Sequence, residues 1–308
     1  MSPLRQHVAD YLTLRRALGY QLEAHEPLLH EFVDDLEKAG TSTVTIAAAL
    51  ACAMKPQGVQ PYRWKQRLTV IRGFAGYLHS MDPATEVPPS DLLAYRRRRP
   101  TPYLFGEEEI EGLVAVAGAL AHPLRAATHR TLFGLLASTG MRGSEALRLD
   151  RDDVDLDAGM LDIHKTKYNK SRRLPLHPST VAALADYVCE RDRWLPVAIQ
   201  PSFFVNTTGT RLQGRRVREL FTKLIDQLGL EPRNGSGRPR AHDLRHSFAV
   251  STLLAWYRTD VDVAARMPLL SAYLGHVSPT STYWYLQAVP ELLAQAAGRL
   301  EHPTGARR

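Results

Sequence analysis

Between residues 81 and 109 the chain reads MDPATEVPPSDLLAYRRRRPTPYLFGEEE, with five prolines and the run Arg96, Arg97, Arg98, Arg99. No helix passes through such a stretch, because proline lacks the backbone N–H and clashes with the turn before it. Whatever folds on either side must be built separately. The sequence therefore predicts a first domain over 1–82, a Pro/Arg-rich linker over 83–102 and a second domain over 103–308. The four arginines read two ways, as a solvated connector or as a strap touching phosphates.

The first domain carries only helical periodicity. Leu4, Val8 and Leu12 keep a three-to-four spacing that Gly19 ends, and Leu28, Phe32 and Leu36 repeat it up to Gly40. Helices over 41–54 and 61–78, the latter with Trp64, Leu68, Ile71, Phe74, Ala75 and Leu78, complete a compact bundle. The second domain mixes periods. Helices are predicted at 107–120, 129–139, 180–191, 214–228, 242–256, 267–274 and 280–288. Period-two segments at 160–166 and 171–177 predict two strands joined by a tight polar turn, and SFFVN at 202–206 a third. The expected fold is mainly α: a helical bundle, then an α+β domain with a small antiparallel sheet.

The formal net charge of +7 favours a polyanionic partner: DNA, RNA or an anionic membrane surface. Two cysteines far apart, Cys52 and Cys189, exclude a disulfide framework and a four-ligand zinc site. The N-terminus does not read as a signal peptide, and no apolar run is long enough to span a bilayer. A cytoplasmic or nucleoid-associated location is expected, with no membrane partner.

Cationic side chains gather at three places. In HDLR, His242 and Arg245 are three residues apart and share a helix face, and the basic run before them, RNGSGRPRA, contains Arg238 and Arg240. In STGMRGSEALRL, Thr139–Gly140 breaks one helix and the next starts near Arg142, where free N–H groups suit an anion. Glu145 follows three residues later, either to orient a cation or as a first-turn acid. In HKTKYNKSRRLPL, Lys165, Lys167 and Lys170 crowd the predicted hairpin turn, where a lysine solubilises the tip or protonates a leaving oxygen. Finally, LGHVSPTSTYWY holds His276, Tyr283 and Tyr285. Nine residues separate His276 from Tyr285, which places them on opposite faces of an unbroken helix. Pro279 breaks that helix, so two elements with a turn between them bring both side chains to one phosphate. A phenol beside several cations is able to attack phosphorus. Helical geometry leaves Tyr283 and Tyr285 both open.

Taken in order, TGMRGSEALRL, KTKYNKSRRLPLHP, HDLRHSFA and LGHVSPTSTYWY resemble the tyrosine recombinase, or phage-integrase-type, family. The resemblance spans 139–285, and the N-terminal bundle is similar to that family's core-binding domain. It implies catalytic Arg142, Lys167, His242, Arg245, His276 and Tyr285, with Glu145 supporting. The nine-residue step from the LGH histidine selects Tyr285 over Tyr283. Lys167, Lys170 and Arg172 match the family's hairpin frame, and Lys165 is the rival for the lysine. Arg96 to Arg99, Lys165, Lys170, Arg172, Arg238 and Arg240 are expected to contact DNA.

The same resemblance implies cleavage and rejoining of duplex DNA through a 3′-phosphotyrosyl link and a Holliday junction. It implies inverted-repeat sites, a dimer on each site, a tetramer in synapsis, and room for a second recombinase or an accessory protein. No metal or other cofactor is implied. The helices begin at about residue 4, so an extra N-terminal arm-binding domain is not expected. KSRRLPLHPST and STYWYLQAVPEL resemble the transposon-associated branch, and the tail from Leu286 to Leu293 is a candidate contact to a neighbouring protomer. The alternatives are type IB topoisomerase-like rejoining and a catalytically inactive DNA-binding protein.

Overall fold

The structure is a computed structural model that describes residues 2–20, 22–23, 25–93, 101–164, 171–259, 261–276, 278 and 280–288, with backbone alone at 281 and 286–288. It divides into two compact units, Met1–Arg99 and Pro100–Arg308. Arg96 to Arg99, Lys165, Lys167, Lys170 and the tail beyond Ala288 lie outside the described residues.

The first unit is a bundle of α1 (Pro3–Ala17), α2 (Glu26–Lys38), α3 (Ile46–Met54) and α4 (Pro61–His79). Three of the four start with proline in the first turn, where its missing N–H costs nothing. The Ser2 and Thr45 side chains cap α1 and α3. Leu4, Val8, Tyr11 and Leu12 bury one stripe of α1 against Phe32 of α2 and Phe74 of α4. Each such side chain contributes about 1.5–3 kcal/mol by leaving water. Cations here meet carboxylates. Arg5 pairs with Asp34 and Glu37, Arg16 with Glu26, and Arg67 with Glu31. Glu31, Asp35 and Cys52 bring ligand-type atoms within 4.8 Å of one another. Lys55 (2.9 Å from Asp35) and Arg67 (2.9 Å from Glu31) already neutralise that group, and burial pushes the Cys52 thiol up to about 11.

The second unit is built round α6 (Pro123–Thr139). Leu124, Thr128, Leu132, Leu135 and Thr139 are buried along with Ala127, Phe133 and Leu136, so this helix is covered nearly all round. α5 (Glu107–Gly118), α8 (Pro178–Trp194) and α10 (Asp243–Arg258) pack on it. α9 (Gly214–Gln227) closes the core with Phe221, whose ring meets Phe133 edge-on at 5.3 Å. α7 (Gly143–Ala146), α11 (Val263–Leu274) and α12 (Thr280–Ala288) are short. Among the described residues, no helix is long and apolar enough to cross a membrane.

The sheet is β1–β2–β3, all antiparallel: β1 (Val154–Asp155), β2 (Met160–Ile163) and β3 (Arg172–Pro175). Leu161 faces Leu174 and Ile163 faces Arg172, so Arg172 has the parity of the buried Leu174 and lies on the inner face. Arg173 points outward, 57% exposed. The expected strand at 202–206 is not there. Ser202 and Val205 form isolated bridges, while Phe203 and Phe204 both enter the core. Two consecutive buried phenylalanines do not fit the alternation of a half-exposed strand. The third strand is instead the two-residue β1, too short to announce itself by periodicity.

Candidate active site

α6 stops at Gly140, which has φ +60° and donates its N–H to the Leu136 carbonyl. A side chain is excluded there twice over, since a Cβ would lie 2.5 Å from the Phe248 ring. The chain then turns through buried Met141 into Arg142 and the single turn of α7. The expected open helix N-terminus for an anion is closed. The Glu145 carboxylate itself accepts the Arg142 backbone N–H at 2.9 Å, and the same carboxylate accepts from Arg142 Nη1 at 2.8 Å.

α11 ends at Leu274 with Gly275 left-handed at φ +67°. Helix C-termini leave carbonyls without intrahelical partners. Here three guanidiniums take consecutive ones. Arg172 Nε donates to Tyr273 O at 3.1 Å, Arg245 Nη2 to Leu274 O at 2.8 Å and Arg142 Nη2 to Gly275 O at 3.0 Å. Arg245 Nη1 also donates to Gly140 O at 2.8 Å, tying the two turns together. The negative end of the helix dipole favours cations at this place.

One carboxylate bonds two of these three arginines, while Arg245 is held by carbonyls. Glu145 accepts from Arg142 and, at 3.1 and 2.8 Å, from both Arg172 nitrogens. Burial pushes the Glu145 carboxyl up, but the Arg172 pair and the Arg142 bonds outweigh it and bring it down to about 2. Burial, with the nearby Arg142 charge, pushes Arg245 down to about 10, so it stays charged at neutral pH. Burial and the charges of Arg245, Arg240 and Arg142 hold His242 below the usual histidine range, leaving a neutral ring able to donate one hydrogen bond. Charge is thus left over on the cationic side.

His276 follows Gly275, with Nδ1 2.7 Å from Thr282 Oγ1. Its ring stacks on that of Tyr285 with centroids 6.4 Å apart. Tyr285, on α12, is 2% exposed, and its Oη lies 3.0 Å from His246 Nδ1. Tyr283, two residues earlier, is 45% exposed. Trp284 is half-buried, its ring 5.3 Å from that of Tyr285.

The comparisons with known proteins agree on one answer. The phage integrase family model matches residues 105–291. The chain belongs to the phage integrase family of tyrosine recombinases. A putative integrase/recombinase of Sinorhizobium fredii, y4rB, is 42% identical over 98% of this chain and 98% of its own. Tyrosine recombinase XerD of Caulobacter vibrioides is 29% identical over 95% of this chain and 91% of its own. Among solved structures, the XerH site-specific recombinase in a post-cleavage complex with palindromic difH substrate superposes with a TM-score of 0.63. It is 22% identical and covers 90% of this chain and 79% of its own. The Tn1549 transposon integrase in complex with circular intermediate DNA gives a TM-score of 0.66 at 15% identity, over 96% of this chain and 98% of its own. The protein is a site-specific DNA recombinase of the tyrosine type.

Within the recombinase, Arg142, Glu145, Arg245, His276 and Tyr285 lie on or beside the Leu274–Gly275–His276 turn. His242 joins them through His246, whose ring is 4.9 Å away. Lys165 and Lys167 lie outside the described residues, between β2 and β3. Of the expected DNA contacts, Arg172 spends its described bonds on Glu145 and Tyr273 O and faces inward. Arg240 bonds Asp243 at 2.9 Å and Arg238 bonds Asp226, though both remain more than half exposed. The basic run before α10 is anchored as well. Arg233 grips Glu109 at 2.7 and 2.8 Å and lies over the Tyr103 ring.

Two features went unread in the sequence. His246 is four residues after His242, hence on the same helix face, and that spacing was the available signal. The outer face of α9 exposes Arg215, Arg216, Arg218 and Lys223 opposite buried Val217, Leu220, Phe221 and Leu224.

Proposed function

We propose that Arg142, Lys167, His242, Arg245, His276 and Tyr285 carry out the strand transfer, with Glu145 and Arg172 as positioning residues. The observation that supports this reading is charge left over at a turn next to a buried phenol. Three guanidiniums gather at the turn, two of them on one carboxylate and Arg245 on carbonyls, and the Tyr285 ring stacks on the histidine of that same turn. A scissile phosphate there completes the charge balance.

Tyr285 Oη attacks the phosphorus to give a 3′-phosphotyrosyl link, and the 5′ oxygen leaves with a proton from Lys167. Arg172, which begins β3, lies inside the site, and Lys165 and Lys167 precede it in the sequence. Arg142, Arg245 and His276 hold the nonbridging oxygens, and neutral His242 donates one further hydrogen bond. A 5′-hydroxyl from the partner strand then attacks the link, and two such rounds pass through a Holliday junction.

The helical unit 1–82 is the core-binding domain, and Arg96 to Arg99, Lys165, Lys170, Arg238, Arg240 and the α9 face contact the phosphate backbone. The substrate is double-stranded DNA with inverted-repeat sites, held by a dimer on each site and a tetramer in synapsis, in the nucleoid. A nicked suicide substrate tests the assignment. Tyr285→Phe is expected to bind DNA normally and form no covalent adduct, and an adduct that persists in this variant moves the nucleophile elsewhere. In the same assay Arg142→Ala is expected to lose far more cleavage than binding.

A further inference from the structure

We propose that His246 takes the proton from the Tyr285 hydroxyl as it attacks phosphorus, and returns it on religation. This rests on Tyr285 being the nucleophile.

The geometry has three parts. Nδ1 of His246 lies 3.0 Å from Tyr285 Oη, within the reach required of a general base. The contact is between α10 and α12, elements that also carry Arg245 and the nucleophile, so it forms wherever the site itself is assembled. The His246 ring is also enclosed. His242 meets it edge-on at 4.9 Å, and the Trp284 ring lies 5.6 Å away. Trp284 is thereby within cation–π distance of the imidazolium that proton uptake creates.

The alternatives for the proton are poorer. Arg245 and Arg142 are guanidiniums already donating to carbonyls, and they have no lone pair to offer. His276 has Nδ1 at Thr282 Oγ1, and its ring stacks on that of the tyrosine. His242, the cap residue one turn before His246, has its described ring contact with His246, edge-on at 4.9 Å.

The step balances as follows. With His246 in the Nε2–H tautomer, the phenol donates to Nδ1. The Oη–P bond forms as the P–O5′ bond breaks, the phenolic proton passes to Nδ1, and the 5′ oxygen takes a separate proton from Lys167. On religation the incoming 5′-hydroxyl gives its proton to Lys167, left neutral by the first step, the new P–O5′ bond forms as the P–Oη bond breaks, and imidazolium Nδ1–H reprotonates the departing phenolate.

The test uses the full-length protein and a nicked suicide substrate made in two forms, one with the natural 5′ oxygen and one with a bridging 5′ sulfur. Sulfur leaves without protonation, so it rescues a missing acid and does nothing for a missing base. His246→Gln keeps a hydrogen-bonding group but no basic nitrogen. It is expected to bind DNA as the unsubstituted protein does and to form adduct about a hundredfold or more slower on both substrates. Lys167→Ala, by contrast, is expected to recover on the sulfur substrate. His246→Asn serves in the same way should His246→Gln bind DNA poorly. Adduct formation by the Gln or Asn variant within a few fold of normal, or its rescue by sulfur, overturns the proposal. Adduct formation by Tyr285→Phe instead overturns the nucleophile assignment on which it rests.

Discussion

The two units of this recombinase use arginine in opposite ways. In the helical bundle the described cations pair with carboxylates at least as numerous as themselves, as Arg5 does with Asp34 and Glu37, Arg16 with Glu26, and Lys55 and Arg67 with Glu31 and Asp35. Around the Leu274–Gly275–His276 turn three arginines are directed by neutral carbonyls, and a single buried Glu145 bonds two of them. A carbonyl fixes where a guanidinium points without cancelling its charge. The first arrangement stabilises a fold modestly, and the second stores positive charge in a set geometry for an anion that arrives later.

The largest effect that separates the two arrangements is expected at Arg245. Arg245→Ala removes a preset positive group and leaves the Gly140 and Leu274 carbonyls without it. Cleavage of a suicide substrate should fall on the order of a thousandfold, with DNA binding changed only a few fold. Arg245→Lys should recover little, since an ammonium cannot span both carbonyls as a planar fork does. Equal losses of binding and cleavage would break the contrast and make Arg245 an ordinary backbone contact.

Glu145 comes next. Removing one member of a buried charge cluster costs about 3–5 kcal/mol, so Glu145→Ala should loosen the second unit while sparing the first. Hydrogen exchange would read this as lost protection in α7, β3 and α11 with α1 to α4 unchanged. The pH dependence has a definite sign. The folded-state value is about 2, below the reference near 4.3. This carboxylate's stabilisation is therefore complete above about pH 5 and lost as pH falls from about 4 towards 2, an effect of about 3 kcal/mol. Acid unfolding of Glu145→Gln, followed by circular dichroism, should lack that component.

The helices of both units were legible because each buries a stripe at helical spacing. The meeting of His276 and Tyr285 was legible as well, since Pro279 breaks a continuous helix through the segment. Arg172 was not. Among so many neighbouring cations it reads as one more basic residue on a hairpin. Its inward direction depends on sharing parity with Leu174, which matters only once β3 is paired with β2 in a known register. Its partner Glu145 is 27 residues away on another element, and no local pattern reports that meeting. His246 was hidden for a different reason, because its neighbours in HDLR already accounted for the motif.

Glycine gives a matched pair for the same comparison. Gly40 has φ +66° and nothing within 4 Å of an added Cβ, whereas Gly275 has φ +67° and a Cβ there would sit 2.6 Å from Arg172 Nη1. Backbone strain alone costs about 1–2 kcal/mol at either position. Gly40→Ala should therefore lower thermal stability and leave cleavage intact. Gly275→Ala should lower stability further and slow cleavage about tenfold or more, because the displaced Arg172 releases Glu145 and with it Arg142. Equal behaviour of the two variants would mean that the turn tolerates movement of its arginines.

The smallest effect is expected at Arg16. Its pair with Glu26 has side chains 44% and 39% exposed, so water screens the attraction and both chains give up rotamer freedom to make it. Arg16→Ala should cost less than about 1 kcal/mol in thermal unfolding, and the cost should vanish at high salt. The salt response separates the two uses of arginine. Salt screens an exposed pair but reaches the enclosed Glu145 cluster much less. The unfolding penalty of Glu145→Ala should therefore persist at a salt concentration that erases the penalty of Arg16→Ala. If both penalties fade together, the turn is no more enclosed than the surface of the bundle, and its charge is not held in reserve for a phosphate.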